Sequence, residues 1–184
     1  MKKSLQLLFL FLSASLLSSC IKDRDNILYV SVPQQRLELR NQGLPIASYG
    51  VSTSKYGLGD TPRSYKTPIG TMEVAKKIGT GKPSGTVFKS RKPTGEILPP
   101  DAPGRDPIVT RILWLRGLEP HNRNAFGRYI YIHGTPEERN IGSPVSYGCI
   151  RMKSHDIIDL YDRIGTGARV IVINGPVPPV EVGP

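Results

Sequence analysis

The sequence predicts a mainly β domain with one or two short helices, one of them near the C-terminal end. Two observations carry this. Short runs rich in Val, Ile, Leu and Tyr are separated throughout by clusters of Gly, Pro, Asn and Ser, the alternation of strands and turns. Among them stands one helical stripe, Ile157, Ile158, Leu160, Tyr161 and Ile164. At 184 residues the chain has room for one ordinary domain plus extras.

Residues 1–19 read as a lipoprotein signal peptide and are set aside from the fold. Lys2 and Lys3 give a positive start, and Leu5 to Leu17 form an apolar run too short to span a membrane as a helix. Leu17-Ser18-Ser19-Cys20 resembles a bacterial lipobox, in which Cys20 becomes the lipid-bearing first residue. The alternative is a simple secretory signal cut nearby with Cys20 free. Small residues directly before the Cys, and the charged run Lys22-Asp23-Arg24-Asp25 after it, favour the lipoprotein. Residues 20–26 are then a polar tether. Ile21 in place of an acidic residue leans toward an outer membrane, where the cell has one.

The domain is expected over residues 27–174. Ile27 to Val32 reads as a strand. From Gln35 to Arg40, Leu37 and Leu39 alternate with Arg36, Glu38 and Arg40, a half-buried strand. Asn41-Gln42-Gly43 is a turn, and Ile46 to Ser52 completes an opening meander. Lys55 to Pro68 reads as a loop, closed by a turn at Thr67-Pro68-Ile69-Gly70 before a strand over 71–78. Residues 79–107 look least structured and are expected as a mobile loop on the substrate side. Ile108 to Leu115 is a strong strand. Tyr129 to Ile132 is a strand that delivers His133. The helix starts at Ser154 as N-cap, with Asp156 at its positive end, and stops at Gly165. Arg169 to Ile173 is the last strand. Residues 175–184 form a Pro-rich, extended tail.

The net charge of +10 suits an anionic partner. Lys and Arg are scattered and no nucleic-acid motif appears, so no nucleic acid is expected. Anionic wall polymer or phospholipid headgroups suit an exported protein, and a merely solvated basic surface is as consistent.

Chemistry concentrates between Tyr129 and Met152. Cys149 is a candidate nucleophile and His133 its base. Thiolate, not thiol, attacks, and an adjacent imidazole can take the proton and hold an ion pair. The residues are 149 − 133 = 16 positions apart, and the loop between them holds Pro136, Gly142, Ser143 and Pro144, which can turn them together. Gly148 leaves room for backbone N–H groups to face an oxyanion. Arg151 suits a substrate carboxylate or a structural ion pair. A lone Cys is usually a small buried hydrophobe. Glycines beside both residues and an adjacent Arg raise the catalytic reading. With Cys20 lipidated, Cys149 is the remaining thiol of an exported chain and has no intramolecular disulfide partner.

The pattern Ile132-His133-Gly134-Thr135, a short loop, then Pro144-Val145-Ser146-Tyr147-Gly148-Cys149-Ile150-Arg151-Met152 closely resembles the signature of the L,D-transpeptidase family with the YkuD-type catalytic domain. Thr67-Pro68-Ile69-Gly70-Thr71-Met72 and Gly167 to Ile173 resemble that family's upstream motif and closing strand. Tyr147 departs from the His that many members carry. The resemblance implies a β-sandwich or barrel-like domain in which Cys149 forms a thioester with a peptidoglycan stem tetrapeptide. The terminal D-amino acid is expelled, and an amine acceptor takes the acyl group to give a 3-3 cross-link. It further implies that the Gly134 carbonyl orients His133. The N–H groups of Tyr147, Gly148 and Cys149 would form the oxyanion hole, and Arg151 would organise the site or hold a carboxylate. Ser146 is expected near substrate, and Thr67 either contacts substrate or serves as a turn residue, the commoner role in such a segment. No cofactor is implied.

The same thioester resolved otherwise gives an L,D-carboxypeptidase, a hydrolase, or an enzyme attaching a protein to the wall. A non-catalytic wall-binding lipoprotein predicts an inert Cys149. A metal site from His121, His133, Cys149 and His155 lacks the paired spacing of zinc ligands.

Overall fold

The computed structural model describes residues 22–180. The expected signal peptide, the lipidated Cys20 and the last four tail residues lie outside the described residues.

The meander forms as the alternation predicts: β1 (Asn26–Ser31), β2 (Arg36–Asn41) and β3 (Leu44–Gly50). Gln42 and Gly43 connect β2 to β3 with φ of +49° and +84°, the left-handed pair of a two-residue hairpin. Next come β4 (Gly70–Ile78), β5 (Thr86–Lys89), β6 (Lys92–Ile97), β7 (Ile108–Gly117), β8 (Tyr131–Gly134) and β9 (Ile150–Met152). The helix α1 (Ser154–Arg163) and β10 (Arg169–Ile173) complete the described elements.

One sheet holds all ten strands, in the order β3-β2-β1-β10-β4-β7-β5-β6, with β8 on β7 and β9 on β8. The final strand thus sits mid-sheet, parallel to β1 and antiparallel to β4. That position requires a strand apolar on its core face, and Val170 and Val172 are buried. Leu28, Leu37, Met72, Leu113, Ile132, Ile150 and Val170 meet Ile157, Leu160 and Tyr161 of α1 in one core. Strand β7 pairs with β4 and β8 over Ile112 to Trp114 and with β5 and β8 at Val109. Between these sets the β7–β8 register shifts, and Thr110 adopts φ +71°, a bulge that bends the sheet.

Four local expectations change. Residues 79–107 are not a structureless loop: they carry the β5–β6 hairpin, anchored by buried Val87 and Phe88. The outer face of β2 is covered rather than open. Glu38 and Arg40 are buried and paired at 2.8 Å, and Arg40 donates to the carbonyls of Pro178 and Pro179. The tail over 175–180 therefore docks on this face. The tether expected over 20–26 is, from residue 22, tied to the domain through Asp23, which receives the Gly165 N–H at 2.6 Å. Finally, Lys153 is the helix N-cap and Ser154 lies inside, its N–H bonded to Glu138 at 2.7 Å.

Candidate active site

The parallel ladder of β8 and β9 builds the site. Its register pairs Ile132 with Ile150, His133 with Arg151 and Gly134 with Met152. Side chains alternate along each strand. Ile132, Ile150 and Met152 enter the core, so His133 and Arg151 take the opposite face. One step back in the same register, Cys149 comes beside Tyr131. Contacts agree: Cys149 packs against the cluster of Phe88, Ile112, Trp114 and Tyr131, and β7 sets Ile112 opposite His133. Cys149 and His133 are thus diagonal neighbours on one face.

The imidazole is oriented by backbone. His133 Nδ1 lies 2.8 Å from the Gly134 carbonyl oxygen. A carbonyl only accepts, so Nδ1 carries the proton and Nε2 keeps its lone pair. Gly134 has no room for a side chain: a Cβ there would meet the Val109 oxygen at 2.7 Å.

Burial sets the resting charge. It pushes His133 down to about 4, the Gly134 hydrogen bond opposing it and the Arg151 charge adding to it. It pushes the Cys149 thiol up to about 11, against the Tyr131 backbone bond and the charges of Arg151 and Arg128. Burial therefore disfavours the charged form of each group and so opposes the ion pair the sequence suggested. The Cys149 Sγ sits 3.4 Å from the Tyr129 oxygen, to which the thiol donates.

Gly148 turns the chain into Cys149 at φ +119°, a value that favours glycine. Ser146 is fully buried and clamps this turn, donating to the Cys149 oxygen at 2.5 Å and accepting the Gly148 N–H at 3.2 Å. Thr67, also fully buried, donates to the Gly148 oxygen and accepts the Ser54 N–H, both at 3.0 Å. Both hydroxyls brace the turn: Ser146 does not face substrate as expected, and Thr67 takes the turn role, its alternative reading. Ser146 also engages one of the three N–H groups expected in the oxyanion hole, that of Gly148. Among the described residues no acceptor engages the N–H of Tyr147 or Cys149.

Arg151 is a buried structural cation rather than an open carboxylate receptor. Its guanidinium lies 2.6 Å from Asp106 and 3.6 Å from Glu137. The Asp106 contact is a close charge pair, without the angle of an aligned hydrogen bond. His121 and His155 are on the surface beside Glu119 and Asp156.

A model of the YkuD L,D-transpeptidase catalytic domain matches residues 25–172. The chain belongs to this family. A relative named "Probable L,D-transpeptidase ErfK/SrfK" from Escherichia coli K12 is 32% identical over 146 residues, covering 76% of this chain and 43% of its own length. "Probable L,D-transpeptidase YbiS" from the same organism is 31% identical over 147 residues, with the same coverage. The chain thus spans less than half the length of these relatives. The fold is shared with the L,D-transpeptidase 3 of Mycobacterium tuberculosis, solved with a faropenem-derived adduct, at TM-score 0.52 and 19% identity, over 80% of this chain and 60% of that one. An L,D-transpeptidase from Mycobacterium smegmatis aligns at TM-score 0.51 and 18% identity, over 81% and 58%.

In this L,D-transpeptidase domain Cys149 opens into a cavity of about 360 Å³, lined also by Pro62, Arg63, Tyr65, Arg128, Ile130 and Tyr147. Sequence reasoning passed over the first four of these. Arg128 buries its guanidinium against Asp60 at 2.8 Å and holds the carbonyls of Gly59 and Lys66 at 3.1 and 2.8 Å. No local pattern announces a pair separated by 128 − 60 = 68 positions. Tyr129 was read as strand, yet it turns at φ +60°, which points its carbonyl at the thiol.

Proposed function

We propose that this domain is a cysteine acyltransferase acting on peptidoglycan stem peptides, with Cys149 as nucleophile and His133 as base. The observation that supports it most is their common face on the β8–β9 ladder, with Nδ1 anchored to the Gly134 carbonyl. That anchor leaves Nε2 to receive the thiol proton as sulfur attacks the carbonyl after the third stem residue. An S–C bond forms and the carbonyl becomes an oxyanion facing the N–H groups of Tyr147 and Cys149. The C–N bond then breaks, and the terminal D-amino acid leaves as an amine, carrying the proton back from His133. An acceptor amine attacks the thioester, gives its proton to His133 and releases the thiol to yield a 3-3 cross-link.

Water in place of the amine gives a carboxypeptidase, and a protein amine gives wall attachment. The products decide among these. Incubation with a purified disaccharide tetrapeptide, followed by mass spectrometry, is expected to show cross-linked dimers and the released D-amino acid. Shortened monomers alone would replace transfer by hydrolysis. No product, with Cys149 unlabelled by a carbapenem, would leave a non-catalytic wall-binding protein. We further read the chain as a lipoprotein anchored through Cys20 and facing the periplasm or wall, on the strength of its lipobox-like segment. Metabolic labelling with a fatty acid, lost in Cys20→Ala, checks this.

A further inference from the structure

The segment 57–67 contributes Pro62, Arg63 and Tyr65 to the cavity that Cys149 lines, and its backbone is strained there. Arg63 and Tyr65 both hold left-handed φ, +63° and +58°, and both line the cavity. Non-glycine residues persist there only where their surroundings impose it, and such sites cluster at ligand clamps. The surroundings are visible. Ser64 N–H bonds the Thr61 oxygen at 3.2 Å, Ser54 Oγ donates to the Tyr65 oxygen at 2.5 Å, and Arg128 grips Gly59 and Lys66 on either side.

Charge in the cavity is one-sided. Its lining holds two guanidinium groups and no carboxylate. Asp60 neutralises Arg128. Arg63 is exposed and has no ion-pair partner among the described residues. At the rim, Lys55 Nζ lies 3.2 Å from the Tyr147 hydroxyl and 4.5 Å above its ring, and Tyr65 meets Tyr147 edge-on at 6.0 Å. The thiol thus shares an aromatic-walled, net positive cavity with one unneutralised, fork-shaped donor.

We propose that Arg63 is a specificity-determining residue that binds the free carboxylate of the amino acid released from the acyl donor. This rests on the acyl-transfer reading above. In a stem peptide attacked at the penultimate carbonyl, that carboxylate lies one Cα beyond the scissile nitrogen, so it must fall close to Cys149, in the space Arg63 overlooks. A guanidinium matches a carboxylate through two parallel hydrogen bonds. Arg151, which the sequence offered for such a task, is already closed against Asp106 and Glu137. An enzyme so built takes donors with a free C-terminus and discriminates against extended or amidated ones.

The test compares the full chain with Arg63→Gln and Arg63→Lys on three donors: a tetrapeptide whose third residue is a diamino dicarboxylic acid, its C-terminal amide, and the same tetrapeptide amidated only at the side-chain carboxyl of that third residue. The wild type is expected to prefer the free acid over the C-terminal amide by about ten- to hundredfold in kcat/KM, the scale of a charge-assisted hydrogen bond. Arg63→Gln is expected to erase that preference, and Arg63→Lys to retain part of it. Alkylation of Cys149 by neutral iodoacetamide is expected to run at the same rate in all three, which separates recognition from damage to the turn. A wild-type preference that survives Arg63→Gln overturns the assignment of Arg63. If Arg63→Gln instead erases only a preference for the free over the amidated side-chain carboxyl of the third residue, Arg63 serves that other carboxylate and the assignment is overturned equally. If the wild type forms neither released amino acid nor cross-link from any donor, the acyl-transfer reading itself falls and takes this inference with it.

Discussion

The two halves of the candidate site are held in different ways. His133 rides on a strand paired with β7 on one side and β9 on the other, and Ile132 anchors it in the core. Cys149 sits on an irregular turn with little ladder of its own. Isolated bridges tie that turn down at Ser52–Arg151 and Ser54–Ser146, as do the buried hydroxyls of Ser146 and Thr67 and the Arg151 charge cluster. His133 is therefore fixed by apolar packing and backbone pairing, Cys149 by polar brackets. Polar brackets fail abruptly, since an orphaned buried partner costs more than the bond was worth.

The sharpest contrast concerns chemistry. His133→Gln is expected to lower turnover by about 10²- to 10⁴-fold, the range of a general base, measured on tetrapeptide release, while leaving the ladder intact by far-UV circular dichroism. The same variant reports on pH. The fold pushes His133 from 6.5 down to about 4, so its contribution to stability is full above 6.5 and is lost as pH falls toward 4. His133→Gln should flatten denaturant midpoints across that window. Cys149, pushed from 9.0 up to about 11, has the opposite sense: its contribution is full below 9.0 and is lost as pH rises toward 11. Cys149→Ala should flatten the alkaline limb.

On the nucleophile's side, Arg151→Met is expected to cost about 3–5 kcal/mol, because Asp106 is left buried without its counter-charge. Urea unfolding measures it, and a loss under 1 kcal/mol would mean that the turn does not depend on this cluster. Thr67→Val keeps the shape but strands the Ser54 N–H and the Gly148 carbonyl. It should cost about 1–3 kcal/mol and change the rate of Cys149 alkylation, whereas an unchanged rate would remove Thr67 from the brackets. The smallest effect is expected at Tyr147, which is exposed at the rim. Tyr147→His should stay within about 0.5 kcal/mol in stability.

The same division explains what the sequence disclosed. Strands β1, β2, β7 and β10 announce themselves by alternation or by continuous apolar runs, and each formed within a residue or two of its expected place. Helix α1 did too, through its stripe, although the N-cap moved to Lys153 once Glu138 took the Ser154 N–H. The β5–β6 hairpin was missed because its outer positions are Lys, Pro, Thr, Gly and Glu, and its few apolar anchors pack against a strand more than ten residues away. Ser146 reads as a substrate contact, and Thr67 as either a contact or a turn residue, because a hydroxyl near a nucleophile looks the same in sequence whether it faces a ligand or a carbonyl. Arg63, Tyr65 and Arg128 gave no signal, since their meaning comes from backbone conformation and from Asp60.

By itself the chain order determined most of the strands, the helix, the family and the two residues expected to react, because periodicity and the segments around His133 and Cys149 are local properties. Tertiary structure alone decided that burial works against charge on Cys149 and His133, that Arg151 faces inward to acids, and that the thiol shares its cavity with an unneutralised guanidinium. Hydration and Coulomb energies depend on what lies nearby in space, and the groups that set them here come from segments far apart along the chain.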